Sequence, residues 1–268
     1  DDGSTDRTCD ILRSFISDLA PGQATQVDGP RKGFATNFLT ALCQARRSTY
    51  YAFCDQDDIW EPDKLETALA VLKTLPAEMP LLYCGRTRLI DKSGKATGLS
   101  PAFLRPPSFR NALVQSLAGG NTMVMNDVAR ELLRQAGSHL DIVSHDWWVY
   151  QLISGAGGLV YYDKEPKVLY RQHEHNLVGK NNAIADRLTR VRFLLANGFR
   201  NWTSRNLASL RAADRLLTPE SRAVLESFRN VQSPSLQKRI QALIKTQIYR
   251  QTRIGTVAII SAALFNKV

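Results

Sequence analysis

Apolar and polar positions along the first 180 residues switch repeatedly between two periods. Ile11, Leu12, Phe15, Ile16 and Leu19 fall on one face of a helix-period segment. Ser4 is placed to cap that helix, and Asp6 to sit in its first turn near the positive end of the dipole. After Gly33, the positions Phe34, Phe38, Ala41, Leu42 and Ala45 recur at helical spacing, and residues 64–75 form another helix ended by Pro76. Unbroken apolar runs lie between. Residues 50–54 read as a buried strand, as do residues 81–85 and 87–90, with a turn at 91–94. Three prolines between 101 and 107 predict an irregular loop. A short strand over 121–126, helices over 127–135 and 146–154, and a strand over 159–162 follow. Such alternation predicts an α/β sandwich with a mixed sheet.

From residue 183 the strand pattern stops. One predicted helix holds Leu188, Val191, Phe193, Leu194 and Leu195; a second covers 207–217; a third opens at Pro219; a fourth follows Ser233-Pro234-Ser235. The chain thus divides into an α/β domain over 1–180 and a helical region over 181–268. The closing apolar stretch, 254–265, falls short of the roughly 18–20 residues that span a bilayer. It predicts either a packed terminal helix or one lying on a membrane surface, with Lys238, Arg239, Lys245, Arg250 and Arg253 toward headgroups.

Charge sharpens the same division. The net charge is +10, yet residues 1–179 carry 19 Lys and Arg against 21 Asp and Glu, and residues 180–268 carry 16 against 4. The surplus belongs wholly to the last third, where it suits nucleic acid, anionic lipid or another polyanion. Cys9, Cys43, Cys54 and Cys84 show no metal-finger spacing, and Cys43 and Cys54 fall in apolar segments. Buried reduced thiols and a cytoplasmic enzyme are expected.

The candidate chemistry starts where the 50–54 run ends, in Asp55-Gln56-Asp57-Asp58. Three carboxylates in four residues repel one another and resist desolvation unless a cation sits among them. Oxygen ligands favour a hard ion, Mg²⁺ or Mn²⁺, of the kind that holds substrate phosphates. A second acidic segment, Asp1-Asp2-Gly3-Ser4-Thr5-Asp6, lies where a strand would turn into the first helix, and ligands bind at the carboxyl ends of strands in open α/β sheets.

Taken in order, these two segments, Lys32-Gly33-Phe34-Ala35-Thr36-Asn37, the continuation Ile59-Trp60-Glu61-Pro62-Asp63-Lys64-Leu65, Gly119-Gly120-Asn121-Thr122, Ser144-His145-Asp146-Trp147-Trp148 and Tyr170-Arg171-Gln172-His173 resemble glycosyltransferase family 2. The resemblance covers about residues 1–180, and the Asp-Gln-Asp-Asp-Ile-Trp and Tyr-Arg-Gln-His forms look most like bacterial rhamnosyltransferases of O-antigen and other surface polysaccharides. It implies a GT-A type three-layer α/β/α sandwich and an inverting enzyme. The donor would be a nucleotide-sugar, dTDP-rhamnose for the finer match, and the acceptor a saccharide or lipid-linked saccharide. Family members carry an opening β-α-β portion before the segment that starts here at Asp1, so the resemblance implies a preceding stretch of chain. The lipid-linked acceptors it implies, set beside the basic last third and the apolar stretch ending at Phe265, predict a cytoplasmic enzyme docked on the inner face of the cytoplasmic membrane.

Residue by residue, the family motif makes Asp57 the metal ligand, joined by His173. Asp55 would meet ribose or donor sugar, Asp58 would be a supporting or sugar contact, and Asp1 or, preferably, Asp2 would meet the nucleobase or ribose. Lys32 lies in the donor-side segment, and Arg171 could grip phosphate bidentately. Asp146 is the candidate general base, with His145 in place of the usual acidic neighbour. Gly120 and Asn121 resemble the acceptor-side loop, and Trp147 and Trp148 offer indole faces for a sugar. Two other classes compete. A nucleotidyltransferase would also cluster carboxylates on a sheet edge but needs a Gly-rich phosphate loop. A nucleic-acid-binding protein would use the basic tail, which lacks any reading motif; no nucleic acid is expected.

Overall fold

The computed structural model describes residues 1–172 and 198–268. Helices α1 (Thr8–Ser17) and α2 (Phe34–Gln44) precede β1 (Tyr50–Ala52) and β2 (Ile59–Trp60). Then come α3 (Lys64–Leu72), β3 (Leu81–Gly85), β4 (Arg88–Ile90), β5 (Ala96–Leu99) and the short α4 (Phe109–Ala112). A 3-10 turn at Gly120–Thr122 leads into β6 (Val124–Asn126), α5 (Asp127–Ala136), α6 (His145–Gly155), β7 (Leu159–Asp163) and β8 (Val168–Arg171). The described C-terminal residues form α7 (Gly198–Ala212), α8 (Pro219–Arg229), α9 (Leu236–Thr246) and α10 (Arg253–Leu264).

Two four-stranded mixed sheets result. The first runs β1-β6-β3-β7, antiparallel except for the parallel β3/β7 pair, and the second runs β2-β8-β4-β5 with β8 and β4 parallel. Strand β3 is buried along its whole length, and its period of two sorts its side chains onto two faces. Leu81 and Tyr83 pack with Ala68 and Leu72 of α3; Leu82 and Cys84 join the larger core holding Leu39, Leu42, Leu133 and Trp148. Helices therefore cover both faces of the first sheet. This is the expected mixed α/β sandwich.

Helix α6 is apolar nearly all round, and such a helix must be enclosed on every side. The sheet covers one side and the C-terminal helices another, for Phe199, Leu210, Phe228, Ile259 and Val268 belong to the same core as Trp148 and Ile153. A buried polar knot helps hold the C-terminal segment. Asn111 of α4 donates to Tyr249 O (2.9 Å) and accepts from Tyr150 Oη (2.9 Å) and Gln251 Nε2 (3.3 Å). Amide and hydroxyl groups can be buried there because each finds a partner.

Several local expectations are corrected. Helix α1 opens at Thr8 with Arg7 at its cap, because Asp6 accepts from Thr8 N (3.0 Å) while Ser4 turns back to Asp1. None of its apolar residues is buried, and Ile11 and Phe15 stay exposed. Helix α3 stops at Leu72, short of Leu75, as the last carbonyls close into tighter turns. Cys54 is exposed because β1 ends at Ala52 and the chain turns away from the core; Cys84 is the buried thiol. Strand β5 carries no apolar signal: all four of its residues are exposed at a sheet edge. The predicted helix around residues 188–195 lies outside the described residues.

Candidate active site

The acidic segment sits at a junction. Strand β1 belongs to the first sheet and β2 to the second, and residues 55–58 are the turn between them. Tyr51 and Phe53 anchor the strand end in the core, leaving the carboxylates at a sheet edge. Asp55, Asp57 and Asp58 are all half-buried.

Each carboxylate has a different fate. Burial, and then repulsion from Asp58, Asp57 and Asp146, pushes the Asp55 carboxyl up to about 6. Asp58 is also raised, chiefly by desolvation, but both of its oxygens are occupied. Oδ1 accepts from Arg171 N (2.9 Å), and Oδ2 accepts from the Asn121 amide. Asp58 thereby joins the tetrad to β8 on one side and to the Gly119-Gly120-Asn121 loop on the other. Its place in this structure is a latch.

Asp146 arrives from 88 residues further along than Asp58, in the first turn of α6. Its charge is one of those acting on Asp55, so the fold brings the two carboxylates into one electrostatic site. Asp146 Oδ1 accepts from Ser144 Oγ and from Trp147 N (2.6 Å), which fixes the side chain over the helix start.

His145, its neighbour, turns inward. Its imidazole stacks on Phe38 with ring centres 4.2 Å apart and meets Phe53 and Phe34 edge-on. Neither ring nitrogen has a hydrogen-bond partner, and burial lowers its pKa, so the ring is neutral. A Cβ on Gly120 would stand 2.2 Å from His145 Nε2. Glycine at 120 is therefore required for the acceptor-side loop to close over the imidazole.

A residue absent from the expected site completes this arrangement. Lys64, the first residue of α3, is 1% exposed. Its Nζ donates to Asn121 O (2.7 Å) and lies 3.2 Å above the centre of the Trp60 ring. Burial pushes its ammonium down to about 7 against the opposing pull of Cys54, Asp58 and Asp55. The sequence does hold a signal: Lys64, Ala68 and Leu72 share one helical stripe and are all buried. A lysine on an apolar stripe calls for a partner.

Other expected residues are placed differently. Trp147 and Trp148 are core residues, 4% and 0% exposed, so neither offers a face to a sugar. They are buried because α6 is enclosed on all sides, and Trp147 Nε1 donates to Ala112 O (2.6 Å). The Arg171 guanidinium reaches backbone carbonyls instead of presenting an open fork: Nε to Asp57 O (2.9 Å), Nη1 to Lys92 O (3.1 Å) and Asp91 O (3.3 Å). Asp2 accepts from Arg31 N and Gly33 N, both at 2.7 Å, and so clamps the loop before α2. Asp1 closes a local turn on Gly3 N and Ser4 N, and Lys32 is exposed beside the clamped loop. Gly33 has φ +89°, a conformation that favours glycine. His173 lies outside the described residues.

The metal expectation can be weighed on this geometry. Among the described residues, no three His, Cys, Asp or Glu side chains converge as a closed cage. Mg²⁺ needs none, since it commonly takes one or two carboxylates and completes its shell with phosphate oxygens and water. Asp57 with Asp55 fits that pattern, because Asp55 is held among like charges that a cation would relieve. A surface cleft of about 450 Å³ lies elsewhere, between α7 and α8, and contains none of these residues.

The family model described as "Glycosyl transferase family 2" matches residues 1–133, which hold the tetrad, Lys64 and the Gly120 loop. A dTDP-rhamnosyl transferase, RfbG, of Shigella flexneri is 28% identical over 198 residues, covering 68% of this chain. The match spans 64% of that relative's length.

Proposed function

We propose that the chain is a member of glycosyl transferase family 2, whose model matches residues 1–133, and that it moves a sugar, L-rhamnose from dTDP-rhamnose, with inversion onto a saccharide or lipid-linked acceptor of a bacterial surface polysaccharide. The observation that carries this reading is that Asp146, at a helix start, lies near enough to the tetrad for its charge to add to those raising the Asp55 carboxyl, beside a cluster suited to a diphosphate-bound cation. The similarity to a dTDP-rhamnosyl transferase supports the choice of donor.

In this reading the acceptor hydroxyl attacks the anomeric carbon as Asp146 takes its proton, and the nucleoside diphosphate leaves from the opposite face. Asp57, with Asp55 and His173, would hold Mg²⁺ or Mn²⁺, which when bound neutralises charge on the departing diphosphate. Asp58, Asn121 and Lys64 hold the acceptor-side loop against the tetrad. Asp2 shapes the loop that carries Lys32, where the nucleotide would lie. The decisive experiment incubates dTDP-rhamnose with polysaccharide acceptor fragments and reads the linkage by NMR. An inverted product supports the proposal; retention of the donor's anomeric configuration sinks the single displacement.

Metal binding has a readout apart from turnover. Above about pH 6 the folded protein carries an ionised, crowded Asp55, and its stabilising contribution as a neutral acid has been lost by then. Millimolar Mg²⁺ or Mn²⁺ should therefore raise Tm at pH 7, and raise it less at pH 5, where Asp55 is protonated. Asp57→Ala should remove most of the shift. Equal shifts in the variant would move the cation away from the tetrad.

We also place the enzyme at the inner face of the cytoplasmic membrane. No helix among the described residues is long and apolar enough to cross a membrane; the attachment we propose is through the surface of the C-terminal helices. The basic surplus after residue 179 supports this, since cations gather at anionic leaflets.

A further inference from the structure

We propose that α9 and α10 form a membrane-insertion surface that takes an anionic lipid bilayer. The proposal deepens the peripheral attachment proposed above by naming the residues that enter the lipid.

Helix α10 has no charged side chain after Arg253. A helix apolar all round is normally either buried or in contact with lipid. Only one side of α10 is buried, through Ile259 and Ala263. The other side leaves Ile254 84% exposed and Val257 65% exposed, and Phe265, just past the helix end, 78% exposed. These positions follow helical spacing, with Ala258 and Ser261 exposed between them.

Its neighbour repeats the pattern. Helix α9 buries Ala242 and Thr246 but turns Leu236, Ile240 and Ile244 to the outside at spacings of four residues, with Ile244 69% exposed. Arg239, expected to face headgroups, is buried instead. Its guanidinium donates to Ser233 O (2.7 Å), Pro234 O (2.8 Å) and Leu264 O (2.8 Å). That last bond ties the start of α9 to the end of α10, so Phe265 lies beside the turn that carries Leu236 and Ile240.

Charge selects the occupant. No Asp or Glu follows Glu226 in the chain, whereas Lys238, Lys245 and Arg253 are exposed on these two helices. A second copy packed on this surface would bring like charges together. An anionic bilayer accepts the apolar side chains among its acyl chains and pairs the cations with phosphate headgroups.

The test is sedimentation of the 268-residue chain with phosphatidylcholine vesicles and with vesicles containing phosphatidylglycerol, at low and high salt. Binding should need phosphatidylglycerol and should keep a salt-resistant part from apolar insertion. Ile254→Ser, Val257→Ser and Phe265→Ser combined should cut the partition coefficient at least tenfold. These side chains are exposed, so circular dichroism and Tm should not change. Donor hydrolysis, measured without vesicles, should stay the same. Variant binding equal to wild type would overturn the insertion surface yet leave electrostatic attachment standing. No binding by the wild type would overturn both. A wild-type dimer abolished by the serine changes, without vesicle binding, would also overturn the proposal by assigning the surface to a second copy.

Discussion

Asp146→Asn should lower kcat by about 10²-fold or more while leaving the donor KM nearly unchanged. The two hydrogen bonds that orient the side chain, from Ser144 Oγ and Trp147 N, both fall on Oδ1. An asparagine Oδ1 can accept both, so the helix start should keep its shape. What disappears is the basic oxygen, Oδ2, that would take the acceptor's proton. Repulsion on Asp55 also disappears, so its carboxyl should titrate lower in the variant. Near-normal turnover in Asp146→Asn would sink this assignment. If His145→Ala were inactive at the same time, the proton role would pass to the imidazole, despite its aromatic enclosure and lack of partners.

Lys64→Met should reduce kcat by about 10- to 100-fold, from a residue that touches no substrate in the proposed mechanism. Methionine fills much of the space but leaves Asn121 O buried without its donor, a loss worth roughly 1–3 kcal/mol. The Asn121 amide also holds Asp58, so the loosened loop should disturb the tetrad from behind. A pH readout separates this role from simple packing. The folded ammonium is pushed down to about 7 from its ordinary 10.5, so the unfolded chain binds the extra proton between those values. Lys64 therefore adds stability as pH rises from about 7 toward 10, and loses that contribution as pH falls back through 7. The urea midpoint of the wild type should climb relative to Lys64→Met over this window. Parallel pH profiles, or full activity in the variant, would show that Lys64 holds nothing the reaction needs.

Most helices were legible from the period of their apolar positions, and strands of the first sheet from short apolar runs. The apolar run of β3 and the stripe of α2 each needed only a few neighbouring residues to be read. Strand β5 was not, since all of its residues are exposed at an edge and alternate with nothing. The tetrad was legible for a related reason: three carboxylates after an apolar run form an electrostatic problem within four residues. Lys64 sat inside a recognised motif, but its importance lies in a carbonyl 57 positions away.

The sequence by itself determined which residue types recur, in what order, and hence the resemblance to glycosyl transferase family 2, the α/β alternation and the basic character of the last third. Only the tertiary structure decided what each polar group spends its hydrogen bonds on. Arg171 turned from a phosphate fork into a brace for backbone carbonyls, Asp58 took the supporting one of its two expected roles, as a latch, and Arg239 went from a headgroup ligand to a tie between helices. The indoles beside Asp146 went into the core because helices from the far end of the chain cover α6. Local pattern sets how a segment folds, but hydrogen-bond partners and covering surfaces come from segments distant in sequence, and those contacts exist only once the chain has closed on itself.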